Sequence, residues 1–327
     1  MRQVRILLCG FLLSLAACGG SNNNPVVPPV NGVTPLSAGQ MVFDSDRTGN
    51  FEIFVMQTDG SAVRQLTANT TFDSWWPRIS PDRKRILFYR TPKGVHDTDY
   101  SQTSLWAMNA DGSAVTLLRD RGTDGWVLQG HGEWSSDGTQ LTMFGGAVAN
   151  PQIYVTRADG TQPRRVTDGL GFWVDPSWSP NGSRLAFAGC VTTPCPVANF
   201  EIYTAAADGT GTPTRVTNDA IRDNDPYYSP DGSKIAWLSE TQAPSSSFPV
   251  GVWNIRIAAP DGAALAGVTN DTNVNSKPDW SLDGTHIFFH RLVYGTPGGF
   301  TIYSIQPNGV GMVQLNGQIG NNEFPAN

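Results

Sequence analysis

Alternating hydrophobic and polar positions divide most of this chain into short strands separated by tight turns. Asp-Gly or Asn-Gly dipeptides recur at spacings of 52, 48, 49, 53 and 47 residues, and an aliphatic residue stands seven positions before each glycine. An apolar strand, such a dipeptide and a second apolar stretch are typical of a β-hairpin. The dipeptides begin at Asp59, Asp111, Asp159, Asp208, Asp261 and Asn308.

A second series of hairpins lies between these turns. It reads PRISPDRKRILF, GEWSSDGTQLTMF, PSWSPNGSRLAF, PYYSPDGSKIAW and PDWSLDGTHIFF. The two series together predict four strands in roughly 49 residues. A single unit of this kind cannot bury both faces of its sheet, so we expect the units to pack radially as the blades of a propeller.

These repeats resemble the TolB-like, WD40-like propeller repeat from residue 40 to residue 327, most closely in FDSDRTGNFEIFVMQTDGSAVRQLT. The resemblance implies an all-β fold, a six-bladed β-propeller of four-stranded antiparallel blades. The first unit lacks its own first strand, and Pro325-Ala326-Asn327 aligns with Pro226-Tyr227-Tyr228. The C-terminal segment is therefore predicted to supply that strand and close the ring.

The N-terminal segment is predicted to be a targeting sequence. Arg2 and Arg5 precede an apolar stretch that ends in LAAC, which resembles a bacterial lipoprotein signal peptide over residues 1–17. Cys18 would then be lipidated and residues 18–39 would form a Pro/Asn/Gly-rich linker, with Gly19 implying sorting to the outer membrane, facing the periplasm. An ordinary signal peptide and a short membrane anchor are the alternatives, although the apolar stretch is short for a bilayer span.

Charge and cysteine content narrow the classes of partner. Without Arg2 and Arg5 the chain has 20 basic and 28 acidic residues, a charge of −8, which argues against binding to nucleic acid. Cys190 and Cys195 are predicted to form a disulfide outside the cytoplasm, with a metal-binding pair as the alternative. We expect a monomer whose only membrane contact is the lipid anchor.

Candidate binding residues follow from the order of the strands. The connections between strands two and three and between blades lie on one face, which we call the long-loop face, and variable loops on a rigid scaffold commonly carry function. The residue before each strand-one proline should ring the channel mouth on that face, where mixed aromatic and charged side chains suit a peptide, a glycan or a partner loop. These residues are Trp76, His131, Asp175, Asp225, Lys277 and Phe324.

The same alignment assigns other residues to structural roles. Asp175 and Asp225 have turn capping as an alternative role. Trp76 is predicted to be available at the rim, whereas Trp75 is predicted to pack against a neighbouring blade. The tryptophans that directly precede the serine in the second series of hairpins are predicted to pack between blades; they are Trp134, Trp178 and Trp280.

The predicted function is a non-enzymatic envelope lipoprotein, a scaffold that binds a protein or an envelope polymer. This is what the resemblance implies, because TolB acts as an interaction scaffold in the Tol-Pal system. TolB has an α/β domain before its propeller where this chain has a linker, which leaves the partner's identity open. The alternative is a metal-dependent polysaccharide lyase, for which only His131 is suitably placed. No cofactor is predicted except a candidate Ca²⁺ at Asp175, Asp225 and Glu323.

Overall fold

The computed structural model describes residues 32–192, 194–196, 199–317 and 320–327, and almost all of its regular structure is β-strand. The predicted signal peptide, Cys18 and the linker up to residue 31 lie outside the described residues. Two one-turn 3-10 helices, Tyr100–Gln102 and Thr123–Gly125, lie in connections between strands. Within the described ranges, no helix is long and apolar enough to cross a membrane.

The strands are short, as the closely spaced turn signals predict. In chain order they are β1 Gln40–Ser45, β2 Glu52–Gln57, β3 Arg64–Gln65, β4 Phe72–Ile79, β5 Arg85–Pro92, β6 Ser104–Asn109, β7 Thr116–Arg119, β8 Leu128–Trp134, β9 Gln140–Gly146, β10 Gln152–Arg157, β11 Arg164–Arg165, β12 Phe172–Trp178, β13 Arg184–Cys190, β14 Glu201–Ala206, β15 Thr214–Arg215, β16 Asp223–Tyr228, β17 Ile235–Gln242, β18 Val252–Ala258, β19 Ala266–Gly267, β20 Val274–Trp280, β21 Ile287–Leu292, β22 Thr301–Ile305, β23 Val313–Gln314 and β24 Asn322–Ala326.

The strands form five sheets. Four of them have four antiparallel strands each, in the orders β24-β1-β2-β3, β4-β5-β6-β7, β11-β10-β9-β8 and β12-β13-β14-β15. Strands β16 to β23 belong to one eight-stranded sheet, because a single parallel residue pair, Trp253 with Val274, joins β18 to β20. Packed four-stranded antiparallel sheets of this kind make an all-β propeller fold.

The predicted count of six separate blades is therefore corrected to four separate sheets and one sheet of eight strands. The physical reason is local: the Trp253 N–H donates to the carbonyl oxygen of Asn273 at 3.1 Å, which ties two successive repeats together at one point. At the other end of the chain, β24 pairs antiparallel with β1, with Val42 opposite Ala326. That is the pairing the alignment of residues 325–327 predicts.

The Asp-Gly turns explain how the hairpins close and how neighbouring sheets pack. The Asp59 carboxylate accepts the N–H of Ser61 at 2.9 Å, and Gly60 has φ +86°. A Cβ on Gly60 would lie 1.4 Å from the carbonyl oxygen of Leu315, which follows β23. Glycine is therefore required here both by the backbone angle and by the close approach of another strand.

The motif tryptophans pack between sheets, as predicted. Trp134, Trp178 and Trp280 are at most 9% exposed. Each indole N–H donates to a backbone carbonyl on the first strand of the preceding repeat, at Arg78, Glu133 and Tyr227 respectively, over 3.2–3.3 Å. These bonds hold successive first strands side by side around the centre of the molecule.

The predicted disulfide is confirmed. Cys190, the last residue of β13, is bonded to Cys195 in the connection to β14, with the Cα atoms 6.1 Å apart. The crosslink closes a short loop on the long-loop face.

Candidate functional site

The six predicted rim residues share one backbone conformation that the sequence did not predict. Each has a positive φ, and the angles for Trp76, His131, Asp175, Asp225, Lys277 and Phe324 are 54°, 50°, 55°, 50°, 54° and 47°. In all six first strands the pairing with the second strand shifts register across this residue, the mark of a β-bulge. This conformation costs an L-residue about 1–2 kcal/mol, so the fold retains six equivalent strained positions at its centre.

The rim side chains meet in one cluster, which we call the axial cluster. Its aromatic part is built on Trp76, whose ring stacks on the imidazole of His131 with centroids 3.8 Å apart and planes 5° apart. Phe324 lies 4.9 Å from the same indole, and the Lys277 ammonium lies over it at 4.8 Å. Contacts of this kind between a cation and a desolvated ring are stabilising.

The charged part of the axial cluster is a chain of paired groups. Lys277 Nζ lies 2.9 Å from Asp225 Oδ1, and His131 Nδ1 hydrogen-bonds to Asp175. Burial alone would lower the pKa of His131 and of Lys277, but the charges of Asp175 and Asp225 respectively raise both. Burial and the nearby charge of Asp175 raise the pKa of Asp225. The cluster therefore holds buried charges of both signs.

The connection between β5 and β6 contributes two further residues, which the sequence alone did not identify. Tyr100 Oη lies 2.8 Å from His131 Nε2 and also bonds to Asp97. Burial would raise the pKa of Asp97, but the charge of Lys277 and the hydrogen bond with His131 hold it below its usual value. The only signal in the sequence was that this connection is long and contains several polar groups.

Trp76 is buried, which corrects the prediction that it is available at the rim. Trp75 is 0% exposed and Trp76 is 2% exposed. The left-handed backbone at Trp76 breaks the alternation of a regular strand, so the two adjacent indoles no longer have to occupy opposite faces. Both pack near Phe324, with ring centroids 6.0 and 4.9 Å away.

A second polar group lies beside the axial cluster, around His96. Its Nε2 is 3.1 Å from Asp44 Oδ2, and its ring stacks on Phe51 at 3.6 Å. Burial would lower the pKa of His96, but the hydrogen bond and charge of Asp44 raise it to about 9. Burial raises the pKa of Glu323 to about 8, with the charge of His96 lowering this pKa and the charge of Asp44 raising it.

A second layer of polar side chains lies next to the axial cluster, on residues that follow the rim residues by two positions in the sequence. Arg78 Nε pairs with Glu133 Oε2 at 2.9 Å, and its guanidinium also bonds to Tyr227 and lies 4.4 Å from the Trp76 ring. Burial raises the pKa of Glu133 to about 7, against the opposing charge of Arg78. The centre of the molecule is therefore filled by interlocked side chains at two levels.

The axial cluster includes a group of potential metal ligands. One atom each from His131, Asp175 and Asp225 lies within 4.8 Å of the others. His131 and Asp225 are buried in this group, whereas Glu323, the third predicted Ca²⁺ ligand, lies on the His96 side. Nitrogen and carboxylate donors suit a divalent ion, but the His131–Asp175 bond and the Lys277 ammonium already satisfy much of their charge.

An open pocket of about 280 Å³ adjoins the cluster on the long-loop face. Asp225 and Lys277 lie in its wall, with Trp253 and Phe300 among its apolar lining residues. Arg222 lies over the Trp253 ring at 5.1 Å. A concave, mostly apolar surface with a few charged groups is the usual form of a binding site.

The family described as the TolB beta propeller domain matches residues 104–290. A TolB homologue of Chlorobium luteolum is 31% identical over 164 residues, which cover 50% of this chain and 34% of that protein. An uncharacterized protein of Agrobacterium fabrum is 25% identical over 217 residues, covering 64% of this chain and 68% of the relative. The chain thus spans about a third of the length of the Chlorobium TolB homologue.

Solved structures share the fold at low sequence identity. TolB from Acinetobacter baumannii superposes with a TM-score of 0.69 at 17% identity, covering 91% of this chain and 68% of that one. An oligogalacturonate lyase from Vibrio parahaemolyticus superposes with a TM-score of 0.53 at 10% identity, covering 86% and 96%. At these identities the likeness extends to the fold alone.

Proposed function

Because this chain belongs to the TolB beta propeller domain family, we propose that it is a non-enzymatic binding or scaffold protein of the bacterial envelope. It engages a protein or an envelope polymer through its long-loop face. Propeller domains serve many functions, so the proposal rests on the site rather than on the fold.

The pocket beside Asp225 and Lys277 is the observation that carries this proposal. It combines apolar walls with one acidic and one basic group, an arrangement that can receive an apolar side chain or a sugar face and fix its orientation by hydrogen bonds. Other rim residues hold these two charged groups in place, because the Trp76 ring contacts the Lys277 ammonium and His131 lies beside Asp225 within the axial cluster.

The ring and its anchorage complete the proposal. We count the eight-stranded sheet as two blades, which gives six blades closed by β24. The single residue pair between β18 and β20 and the pairing of β24 with β1 support this count. The sequence LAAC supports a lipid anchor at Cys18 and a place at the outer membrane, facing the periplasm. The protein acts as a monomer.

Site-specific photocrosslinking in the native envelope tests the proposed binding face. A photoreactive residue at Val250, which lines the pocket and is 52% exposed, should capture a discrete partner. The matched control is Leu265, which is 55% exposed in the turn between β18 and β19, on the opposite face. Equal capture from both positions, or none from Val250, would contradict the proposal.

The second candidate is a metal-dependent polysaccharide lyase, and the ligand group of His131, Asp175 and Asp225 is the observation in its favour. Against it, Lys277 lies 2.9 Å from Asp225 and competes with a cation for that carboxylate. Ca²⁺ bound at Asp175 and Asp225 would face the same competition.

Elemental analysis of the purified protein, together with an assay for unsaturated uronate products, separates the two functions. Stoichiometric metal accompanied by cleavage would favour the lyase.

A further inference from the structure

Three carboxylates converge on the long-loop face, at a place separate from the axial cluster. Glu201 begins β14, Asp219 follows β15 and Asp223 begins β16, and one oxygen from each lies within 4.8 Å of the others. Glu201 is 2% exposed and Asp223 is 0% exposed, while the Asp219 side chain is 36% exposed and opens the group to solvent. We call these three residues the carboxylate group.

Asp223 is incompletely satisfied inside this group. Its Oδ1 accepts from the Ser239 hydroxyl at 2.6 Å, but its Oδ2 is fully buried without a hydrogen-bond partner in the described part of the chain. Burial raises the pKa of Asp223 to about 7, against the lowering effects of the Ser239 and Thr217 hydroxyls, and the Thr217 hydroxyl donates its proton to Glu201. A buried carboxylate oxygen without a partner carries a large desolvation cost.

The positive charges nearby pair with the other two members of the group. Arg215 pairs with Glu201 through a side chain that is 42% exposed, and Arg256 Nη1 lies 3.1 Å from Asp219 Oδ2. No ion pair of Asp223 is found among the described residues. The deepest carboxylate is therefore the one that lacks a counter-charge.

The next repeat contains the same constellation with a cation built in. Asn254 and Asp271 correspond to Glu201 and Asp219: the Asp271 N–H donates to Asn254 at 3.2 Å, and the Asp219 N–H donates to Glu201 at 3.2 Å. Thr269 and Thr217 donate their hydroxyls to Asn254 and Glu201 in the same way. The two sites share their hydrogen bonds but differ in charge.

Arginine fills the sister site. Arg291 stands opposite Asn275 in the strand register, bonds to it, and lies 2.7 Å from Asp271 Oδ2. The residue in that register position opposite Asp223 is Ser239. Relative to its sister, the site at Glu201 has two carboxylates in place of amides and lacks the arginine opposite the innermost of them. Its own Arg215 stands where the sister has Gly267 and pairs with Glu201, and the site remains the more negative of the two.

We propose that Glu201, Asp219 and Asp223 form a binding site for a hard divalent cation, Ca²⁺, that replaces the arginine of the neighbouring repeat. Ca²⁺ takes oxygen ligands at about 2.3–2.6 Å, so it bridges oxygens up to about 5 Å apart. The group offers only oxygen donors, and water can complete the coordination through the open side at Asp219. The bound ion ties the connections before β14 and before β16 together on the long-loop face.

Calorimetric titration of the chelator-treated protein with CaCl₂ tests this site. We expect one Ca²⁺ per chain with a dissociation constant below about 1 mM, and a higher melting temperature in the presence of Ca²⁺. Asp223→Asn should abolish binding, and Asp219→Asn at the exposed edge should weaken it about tenfold or more. The matched control Asp271→Asn, in the sister site, should leave binding unchanged.

Two further variants keep the test decisive. Ser239→Arg should abolish Ca²⁺ binding and raise the melting temperature of the metal-free protein, because it restores the sister arrangement. Asp175→Asn alters the axial cluster alone and should preserve Ca²⁺ binding. The inference is overturned if the protein binds no Ca²⁺ up to about 1 mM; a proton would then satisfy Asp223. It is also overturned if Asp175→Asn abolishes Ca²⁺ binding while Asp223→Asn retains it. Both results are independent of the crosslinking experiment at Val250, which tests the proposed binding function.

Discussion

At the residue scale, the six rim positions show how chemically different side chains can occupy one structural role. An indole, an imidazole, two carboxylates, an ammonium and a phenyl ring all sit on a left-handed backbone, with φ between 47° and 55°. Each is followed by proline except His131, which is followed by Gly132. The prolines identified the rim positions in the sequence. The left-handed backbone at these positions follows from the bulge in each first strand, and the sequence of a single repeat does not indicate that bulge.

The buried pair between Lys277 and Asp225 makes a prediction about stability. Lys277→Met should lower the free energy of unfolding by about 3–5 kcal/mol, because it leaves Asp225 and Asp97 without their cation in a buried cluster. Chemical denaturation measures this change. The control Lys234→Met, at an exposed turn position, should cost less than about 0.5 kcal/mol. Similar losses for the two variants would mean that the axial pair contributes nothing specific.

His96 predicts a dependence of stability on pH. Its pKa is about 9 in the folded protein and about 6.5 in an unfolded chain. The folded state therefore binds more protons between these values, and stability that is complete below pH 6.5 should be lost as the pH rises to 9. The change attributable to His96 is on the order of 1–3 kcal/mol.

Comparison with His96→Gln isolates this contribution, since burial also raises the pKa of Glu323 and Glu133 and both act in the same direction. Melting temperatures between pH 6 and pH 9 should fall less steeply in the variant than in the parent protein. His286→Gln, a half-buried turn position outside the cluster, serves as the control. Identical slopes for the parent and His96→Gln would show that the histidine does not carry the effect.

At the element scale, β24 performs two tasks at once. It pairs with β1, and its Phe324 side chain, 1% exposed, packs against Trp75, Trp76 and His290. The Phe324 N–H also donates to His290 Nδ1 at 2.9 Å. The strand that joins the chain ends therefore also supplies part of the axial cluster.

Phe324→Ala should accordingly destabilise the protein by about 3–5 kcal/mol, since it leaves a cavity among the rings of Trp75, Trp76, His96 and His290. Thermal and chemical unfolding should both report the loss. Phe72→Ala provides the matched control, because Phe72 is 40% exposed at the start of β4, and we expect a loss of less than about 1 kcal/mol. A small effect of Phe324→Ala would mean that β24 is only loosely attached.

At the scale of the whole molecule, the repeat pattern predicted the strands, the turns and which residues meet at the centre. Local signals sufficed for these features, because hairpins and Asp-Gly turns are determined by neighbours in sequence. The burial of Trp76, the insertion of Asp97 and Tyr100, and the Trp253–Val274 pair could not be predicted, because each depends on contacts between distant segments. The carboxylate group escaped notice for the same reason, since it becomes visible only when two repeats are compared in three dimensions.

Ring closure can be tested at Gly60, where the first sheet touches the end of the last one. Gly60→Ala places a Cβ 1.4 Å from the Leu315 carbonyl oxygen, so the two sheets must separate. Gly94→Ala is the matched control, since Gly94 has a similar φ of +89° and a Cβ added there would meet no atom within 4 Å. The control should therefore lose only about 1–2 kcal/mol of stability, the cost of a left-handed backbone at alanine. In chemical denaturation we expect Gly60→Ala to lower the free energy of unfolding clearly more than the control does, because the contact between the two sheets contributes to global stability. Equal losses would mean that this contact is not part of the cooperative fold and that the ring is open there.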